Sequence, residues 1–300
     1  MCVLERYQKI LDLDPTSFSL ISHQDAMVAM VYRVKRKHQN FVLKICPRAA
    51  DYHREVYFLN YFADRLPTPR IIATVDPREN LFGAILMTAL TGNLLNQSPI
   101  SKKMAYKIGS VLAKIHQQRT EGYGDIALQP TLTQSAIPAF TEKFLEGLDE
   151  CRSHLSEPII DLCLNCFNNH VYLLESVDGP CLTHRDFRPG NLIANHHCFQ
   201  GVIDWSSARA SFAEEDFIML EYGEWQDFSY IKKNFLEGYA SIRPVPPYQR
   251  LLPLLALNKA IGAIGFMVKR GTWNTTHNHF YRASYKLLHQ ALNLLVSKHL

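Results

Sequence analysis

The stretch CLTHRDFRPGNLI, residues 181–193, sets His184, Asp186, Arg188 and Asn191 at fixed offsets inside a polar loop bracketed by apolar runs. A second carboxylate, Asp204, follows thirteen residues after Asn191 in GVIDW. Moving a phosphoryl group needs a carboxylate near the acceptor hydroxyl, oxygen ligands for magnesium and a cation on the nucleotide phosphates. Asp186 fits the first role. Asn191 and Asp204 offer the amide and carboxylate oxygens that suit a hard cation, provided the chain between them folds back. Lys44, in the apolar FVLKI, and Glu55, in the segment after it, add an ion pair able to position nucleotide phosphates.

These residues need elements to hold them. Residues 28–46, VAMVYRVKRKHQNFVLKIC, place two β-branched and aromatic runs around the polar KHQN, which predicts an antiparallel hairpin. A helix is predicted through HREVYFLNYFADRL, where Val56, Leu59, Phe62 and Leu66 keep a helical period until Pro67 and Pro69, with Glu55 in its first turn. RIIATV and LFGAILMTAL predict two more strands around the turn-like DPREN. Beyond TGNLLNQSP, residues 102–117 line Met104, Ile108, Val111, Leu112 and Ile115 along one helical face, and helices dominate from there, with 228–240 and 279–296 among them. The exception is 181–205, where NLIA and GVIDW read as short strands joined by NHHCFQ. The expected fold class is α+β, a small antiparallel sheet plus helix followed by a larger, mainly helical part. Residues 1–90 form the expected N-terminal nucleotide-binding lobe and 91–300 the C-terminal catalytic and acceptor-binding lobe, with a linker at about 88–93.

Length and composition narrow the classes. Three hundred residues exceed one typical core of about 100–150 residues. An apolar fraction of 47% and a charged fraction of 20% belong to a globular chain, not a disordered or fibrous one. MCVLERYQKILDLDP carries Glu5, Arg6 and Lys9 and so lacks the apolar run of a secretory signal, and AIGAIGFMV at 260–268 is far shorter than the roughly 20 residues that span a bilayer. A cytoplasmic protein without a membrane span is expected. Seven unevenly spaced cysteines predict reduced thiols, and Cys163, Cys166 and His170 lack the second ligand pair of a zinc site. The net charge of +4 hides an asymmetry: residues 121–180 hold ten acidic and two basic side chains, whereas 238–300 hold eight Lys or Arg and no acid. Complementary surfaces docking within the fold account for this most simply. Nucleic acid is not expected as a partner, because the basic residues of the tail interleave with an apolar helical pattern.

THRDFRPGN followed by GVIDW resembles the catalytic and metal loops of the aminoglycoside phosphotransferase and choline kinase superfamily, which has a two-lobed protein kinase-like fold. The resemblance runs along most of the chain: VYRV and FVLK are similar to its first hairpin, REVYFLNYFADRLPTPRII to its helix and following strand, ILMTALTGNLL to its interlobe hinge, and IGSVLAKIH to its first large helix. It implies an ATP- (or GTP-) and Mg2+-dependent transfer of the γ-phosphate to a hydroxyl of a small molecule. Asp186 is then the catalytic base or the group that orients the acceptor, Asn191 and Asp204 the magnesium ligands, Lys44 the contact to the α- and β-phosphates and Glu55 its partner. His184 braces the catalytic loop and Asp216 supports it. Met87, Thr88 and Leu90 belong to the adenine site.

Two departures stand out. SHQDAMVAM, before the first strand, has no glycine to let backbone amides approach a phosphate, which keeps open an inactive, nucleotide-binding regulatory protein as the alternative. Arg188 stands where many relatives have His, and so offers a charge clamp on the transferred phosphate, unless it pairs with an acid such as Glu214 or Glu215. For the acceptor, Glu146, Asp149 and Glu150 suit a polycation, while Tyr222, Trp225, Phe228 and Trp273 suit a quaternary ammonium or an apolar ring.

Overall fold

The computed structural model describes residues 3–14, 17–21, 29–36, 39–97, 99–128, 132–196, 198–275 and 278–297. The N-terminal part runs α1 (Val3–Ile10), β1 (Phe18–Leu20), β2 (Met30–Arg36), β3 (Gln39–Cys46), α2 (Ala49–Phe62), β4 (Ile71–Val75) and β5 (Gly83–Thr88). Its five strands form one antiparallel sheet in the order β1-β2-β3-β5-β4. Strand alternation sorts β3 between two faces. Leu43 and Ile45 join Tyr7, Leu13, Val34, Ala84 and Leu86 in a small core on one side. Cys46 packs with Tyr52, Ile85 and Met87 into the main core on the other, the side that α2 covers. Lys44, opposite Val31 and Ile85 in the ladder, therefore points its side chain to the α2 side.

The predicted hairpin is present as β2 and β3. The glycine-free loop at 22–30 falls largely on 22–28, outside the described residues. The helix begins four residues earlier than its apolar period suggested, because Ala49 and Ala50 extend it with an Arg48–Asp51 ion pair at 2.7 Å across the first turn. Glu55 consequently sits in the second turn, not the first.

The chain crosses at 89–92, and β6 (Asn93–Leu94) already pairs with a strand of the larger part. That part contains α3 (Lys102–His116), α4 (Ala136–Cys151), α5 (Glu157–His170), β7 (Cys181–Thr183), β8 (Leu192–Asn195), β9 (Cys198–Val202), β10 (Arg209–Ser211), α6 (Glu214–Tyr222), α7 (Lys232–Ala240), α8 (Leu252–Lys269) and α9 (Asn278–Ser297). Helices α3 and α7 touch backbone to backbone: a Cβ on Gly109 would lie 1.9 Å from the Phe235 carbonyl, and one on Gly238 1.9 Å from that of Tyr106. Helix α8 is the one described helix long and apolar enough to cross a bilayer, yet Leu254, Leu257, Ile261 and Ile264 are wholly buried in the main core. Cys163 and Cys166 are buried on α5, and no cluster of three metal-ligating side chains occurs among the described residues.

The acidic and basic segments meet inside this part. Glu150 of α4 accepts from Lys269 of α8 at 2.5 Å, and Asp178 takes Arg119 at 3.2 Å and a short bond from Arg243. The charge asymmetry thus serves in part to dock one set of helices on the other.

Candidate active site

The catalytic loop starts where β7, paired with β10, runs out. Its first turn is forced: Arg185 has φ 63°, a conformation that non-glycine residues adopt only when surroundings hold them there. Asp216, at the first turn of α6, supplies that hold. Its two oxygens accept the amides of His184 at 2.8 Å and Arg185 at 2.5 Å, and His116 meets it at 2.9 Å while also bonding Tyr239. Burial works against the charge of Asp216, but the bonds from His116 and the His184 amide hold it below the usual carboxylate range.

His184 itself is fully buried, with Nε2–H donating to the Ile203 carbonyl at 3.1 Å and its ring 4.7 Å from that of Trp205. Burial lowers its pKa despite the nearby Asp216, Asp186 and Asp204, so it stays neutral. Its Nδ1 is buried without a partner among the described residues. This is a brace for the loop, with no route to an acceptor.

Asp186 Oδ2 accepts from Asn191 Nδ2 at 2.7 Å and from Arg188 Nε at 3.2 Å. Both donors use the same oxygen, so Oδ1 carries neither of these bonds. Arg188 does not pair with Glu214 or Glu215. Its guanidinium forms a short bond to Glu224, whose other oxygen accepts the Gly190 amide at 2.8 Å. Glu214 instead accepts the Asp178 amide, and Glu215 pairs with Arg185 at 3.2 Å.

Asn191 and Asp204 are brought together by the β8–β9 hairpin. The Ile203 amide donates to the Asn191 carbonyl at 3.0 Å, closing the thirteen-residue excursion. The second strand ends at Val202, earlier than GVIDW suggested, and Asp204 stands beyond it with φ 63°. Lys44 Nζ then bridges the two parts of the molecule, 2.9 Å from Glu55 Oε2 and 2.8 Å from Asp204 Oδ1. Burial opposes its charge, but Asp204 and then Glu55 outweigh burial and raise its pKa. Asp204 is lowered in return: Lys44 and the hydroxyl of Ser206, which donates at 2.8 Å, overcome its burial.

At the crossing between the two parts, Met87 is buried and Thr88 and Leu90 are half-buried. The Thr88 amide is committed to the Arg70 carbonyl at 2.9 Å and the Ala89 amide to that of Asn40 at 3.2 Å. Of the three amides at 88–90, that leaves Leu90 to face a ligand, together with the carbonyls.

Three side chains around the site stand differently from what the sequence suggested or were not marked by it. Glu224 lies in a 3-10 segment, Glu224–Ile231, with no motif to mark it. Trp205 looked like the tail of a strand, but it stacks on Phe58 and Phe62 of α2 at 6.1 and 4.7 Å and donates to Thr68 at 3.2 Å. Trp225, suggested as an acceptor-binding face, is buried and donates to the Phe187 carbonyl at 2.9 Å, so it supports the catalytic loop from beneath.

A two-lobed frame with Lys44 bridging Glu55 and Asp204, beside a loop that presents Asp186 and Asn191, is the frame of a kinase. The chain belongs to the phosphotransferase enzyme family, whose sequence profile matches residues 26–247. Among solved structures, the aminoglycoside phosphotransferase APH(4)-Ia superimposes with a TM-score of 0.70 at 14% identity, covering 96% of this chain and 98% of the other. Its ternary complex with AMP-PNP and hygromycin B gives 0.67 at 14% identity over 94% and 97%. ADP-bound APH(2'')-Ib gives 0.65 at 16% identity over 98% of each chain. At these identities the likeness speaks for the fold alone. Among curated proteins, none matches the chain by sequence.

Proposed function

We propose that residues 1–90 hold ATP and that residues 91–300 bind a small alcohol whose hydroxyl receives the γ-phosphoryl group, with Asp186 as the base. The observation that carries this reading is the meeting of Lys44 with Glu55 and Asp204, 2.9 and 2.8 Å away, over the loop of Asp186 and Asn191. In the transfer, a bond forms between the acceptor oxygen and the γ-phosphorus and the bond to the β–γ bridging oxygen breaks. ADP leaves, and the hydroxyl proton passes to Asp186 Oδ1.

Lys44 would hold the α- and β-phosphates, and Arg188, fixed by Glu224, would meet the charge on the transferred group. Met87 would line the adenine pocket, with the backbone at Thr88 and Leu90 reading the base. The donor set fits magnesium: the amide nitrogen of Asn191 is spent on Asp186, so its oxygen is left over, and Asp204 has a second oxygen beyond the one on Lys44. Bound there, magnesium would neutralise charge on the β- and γ-phosphate oxygens.

Neighbours of this fold bind a nucleotide together with an aminoglycoside, AMP-PNP with hygromycin B in one case and ATP with streptomycin in another, which supports a small-molecule acceptor. The acidic side chains that would suit a polycation here are already matched. Glu146 takes Lys143 at 2.5 Å, Asp149 takes Arg152 at 3.4 Å and Glu150 takes Lys269 at 2.5 Å. The reading is tested by incubating the protein with MgATP and a panel of aminoglycosides, choline and neutral or acidic alcohols, with phosphate esters detected by mass. ADP formation stimulated by at least one acceptor is expected. Thermal stabilisation by MgATP with no ester from any acceptor would favour the regulatory alternative.

A further inference from the structure

Asp204 stands two residues beyond β9, which ends at Val202, and its backbone lies in the left-handed region at φ 63°. A residue other than glycine stays there only where its surroundings fix it. Three successive residues are held here, and each hold comes from α2 or from β3. Lys44, itself paired with Glu55, takes Asp204 Oδ1 at 2.8 Å. Phe58 and Phe62 stack on Trp205 with ring centroids 6.1 and 4.7 Å apart. Arg54 Nη1 donates to the Ser206 carbonyl at 3.4 Å. Arg54 is steadied in turn by Asp125 at 2.6 Å and by the buried Asp51 at 3.4 Å.

The side chain of Ser206 adds a contact that α2 does not make. Residues 205–208 form a turn, with the Ala208 amide donating to the Trp205 carbonyl at 3.0 Å. Within it the Ser206 hydroxyl points back along the chain and donates to Asp204 Oδ1 at 2.8 Å. Oδ1 therefore accepts from two donors on different elements, Lys44 Nζ of β3 and Ser206 Oγ of the turn. Oδ2 receives neither bond, and the side chain is 40% exposed. The last torsion of an aspartate is broad, so a carboxylate held by one donor can still swing. A second donor on the same oxygen removes that freedom before any cation arrives, and the ordering cost no longer falls on binding.

We propose that Ser206 is a positioning residue for the divalent cation that accompanies the nucleotide: its hydroxyl, together with Lys44, occupies Asp204 Oδ1 and keeps Oδ2 available to the metal. The inference rests on the reading that Asp204 holds magnesium beside bound ATP. It assigns to Ser206 no contact with the nucleotide itself, so its removal should be felt through the metal alone.

The test needs no acceptor and no turnover. A fluorescent ATP analogue is titrated into the full chain in excess Mg2+ and again in EDTA, and the ratio of the two dissociation constants measures what the metal adds. Ser206→Ala should lower that ratio by about 10-fold or more, the usual effect of removing a partner from a metal-binding group, while the constant in EDTA stays at the wild-type value. Ser206→Thr, which keeps the hydroxyl, should recover most of the ratio. A purely structural role would weaken binding equally in both media, so an unchanged ratio in Ser206→Ala overturns the proposal. A Ser206→Thr variant as defective as Ser206→Ala does the same. The two readings fail differently. If wild type gains nothing from Mg2+, the phosphotransfer reading falls and the role of Ser206 with it. If wild type gains and Ser206→Ala gains as much, the role of Ser206 falls alone.

Discussion

Trp205 lies against Phe62 with ring centroids 4.7 Å apart, so the residue after Asp204 is stacked on the helix that carries Glu55. The contact is reinforced by Trp205 Nε1 donating to Thr68 and by Arg54 of the same helix reaching Asp125 at 2.6 Å. Helix α2 is thereby fixed to the larger lobe, and Lys44 finds Glu55 and Asp204 already in place. Trp205→Ala should cost about 3–5 kcal/mol, as for other buried large-to-Ala changes, and should weaken MgATP binding in the surviving folded fraction. Urea unfolding and nucleotide titration check both.

Glu224 fixes Arg188 and the Gly190 amide, the two groups that flank the path from Asp186 to Asn191. Glu224→Gln keeps the size of the side chain but removes its charge. It should lower kcat by about 10- to 100-fold with the KM for ATP nearly unchanged, because what is lost is the placement of Arg188 and not a nucleotide contact. Steady-state kinetics with a working acceptor, normalised to the active sites counted by MgATP titration, checks this, since a loss of folded protein alone would leave the normalised kcat unchanged.

Asp186, Asn191 and Asp204 stood out together in the sequence because they lie within nineteen residues, around one local hairpin. Lys44 and Glu55 were legible as strand and helix residues forming an ion pair, while the contact of Lys44 with Asp204 across 160 positions was not anticipated. Glu224 was illegible, since a 3-10 segment has no apolar period and its contacts reach back 34 and 36 residues. Trp225 misled for the opposite reason. An aromatic in a polar stretch reads as a ligand face, although tertiary packing had buried it beneath Phe187.

His184 is held neutral by burial, its folded pKa lying below the ordinary value of about 6.5. A lowered histidine contributes stability that is fully present above the unfolded pKa and is lost as pH falls through the folded one. Stability of the wild type relative to His184→Gln should therefore shrink as pH drops below about 6.5. Denaturant midpoints at pH 8, 7, 6 and 5 measure the trend, and a constant difference across the series would remove His184 from the account.

Glu214 behaves in the opposite sense. Burial pushes its carboxyl up from 4.5 to about 7, against the amides of its own residue and of Asp178. A raised carboxylate favours the folded state at low pH, and that contribution disappears as pH rises from about 4.5 through about 7. Glu214→Gln, which can still accept from the Asp178 amide, should gain roughly 1–3 kcal/mol over wild type at pH 8 and almost nothing at pH 4.5. Paired urea melts at the two pH values test this.

In the proposed reaction Asp186 takes the acceptor proton while the nucleotide is held elsewhere, by Lys44, Asn191 and Asp204. The most direct measurement is single-turnover phosphate-ester formation by Asp186→Ala beside MgATP binding by the same preparation. The account predicts a rate lower by about 10²–10⁴-fold, the range of a lost general base, with the dissociation constant for MgATP within a few-fold of wild type. Ester formation at an undiminished rate in Asp186→Ala would contradict it.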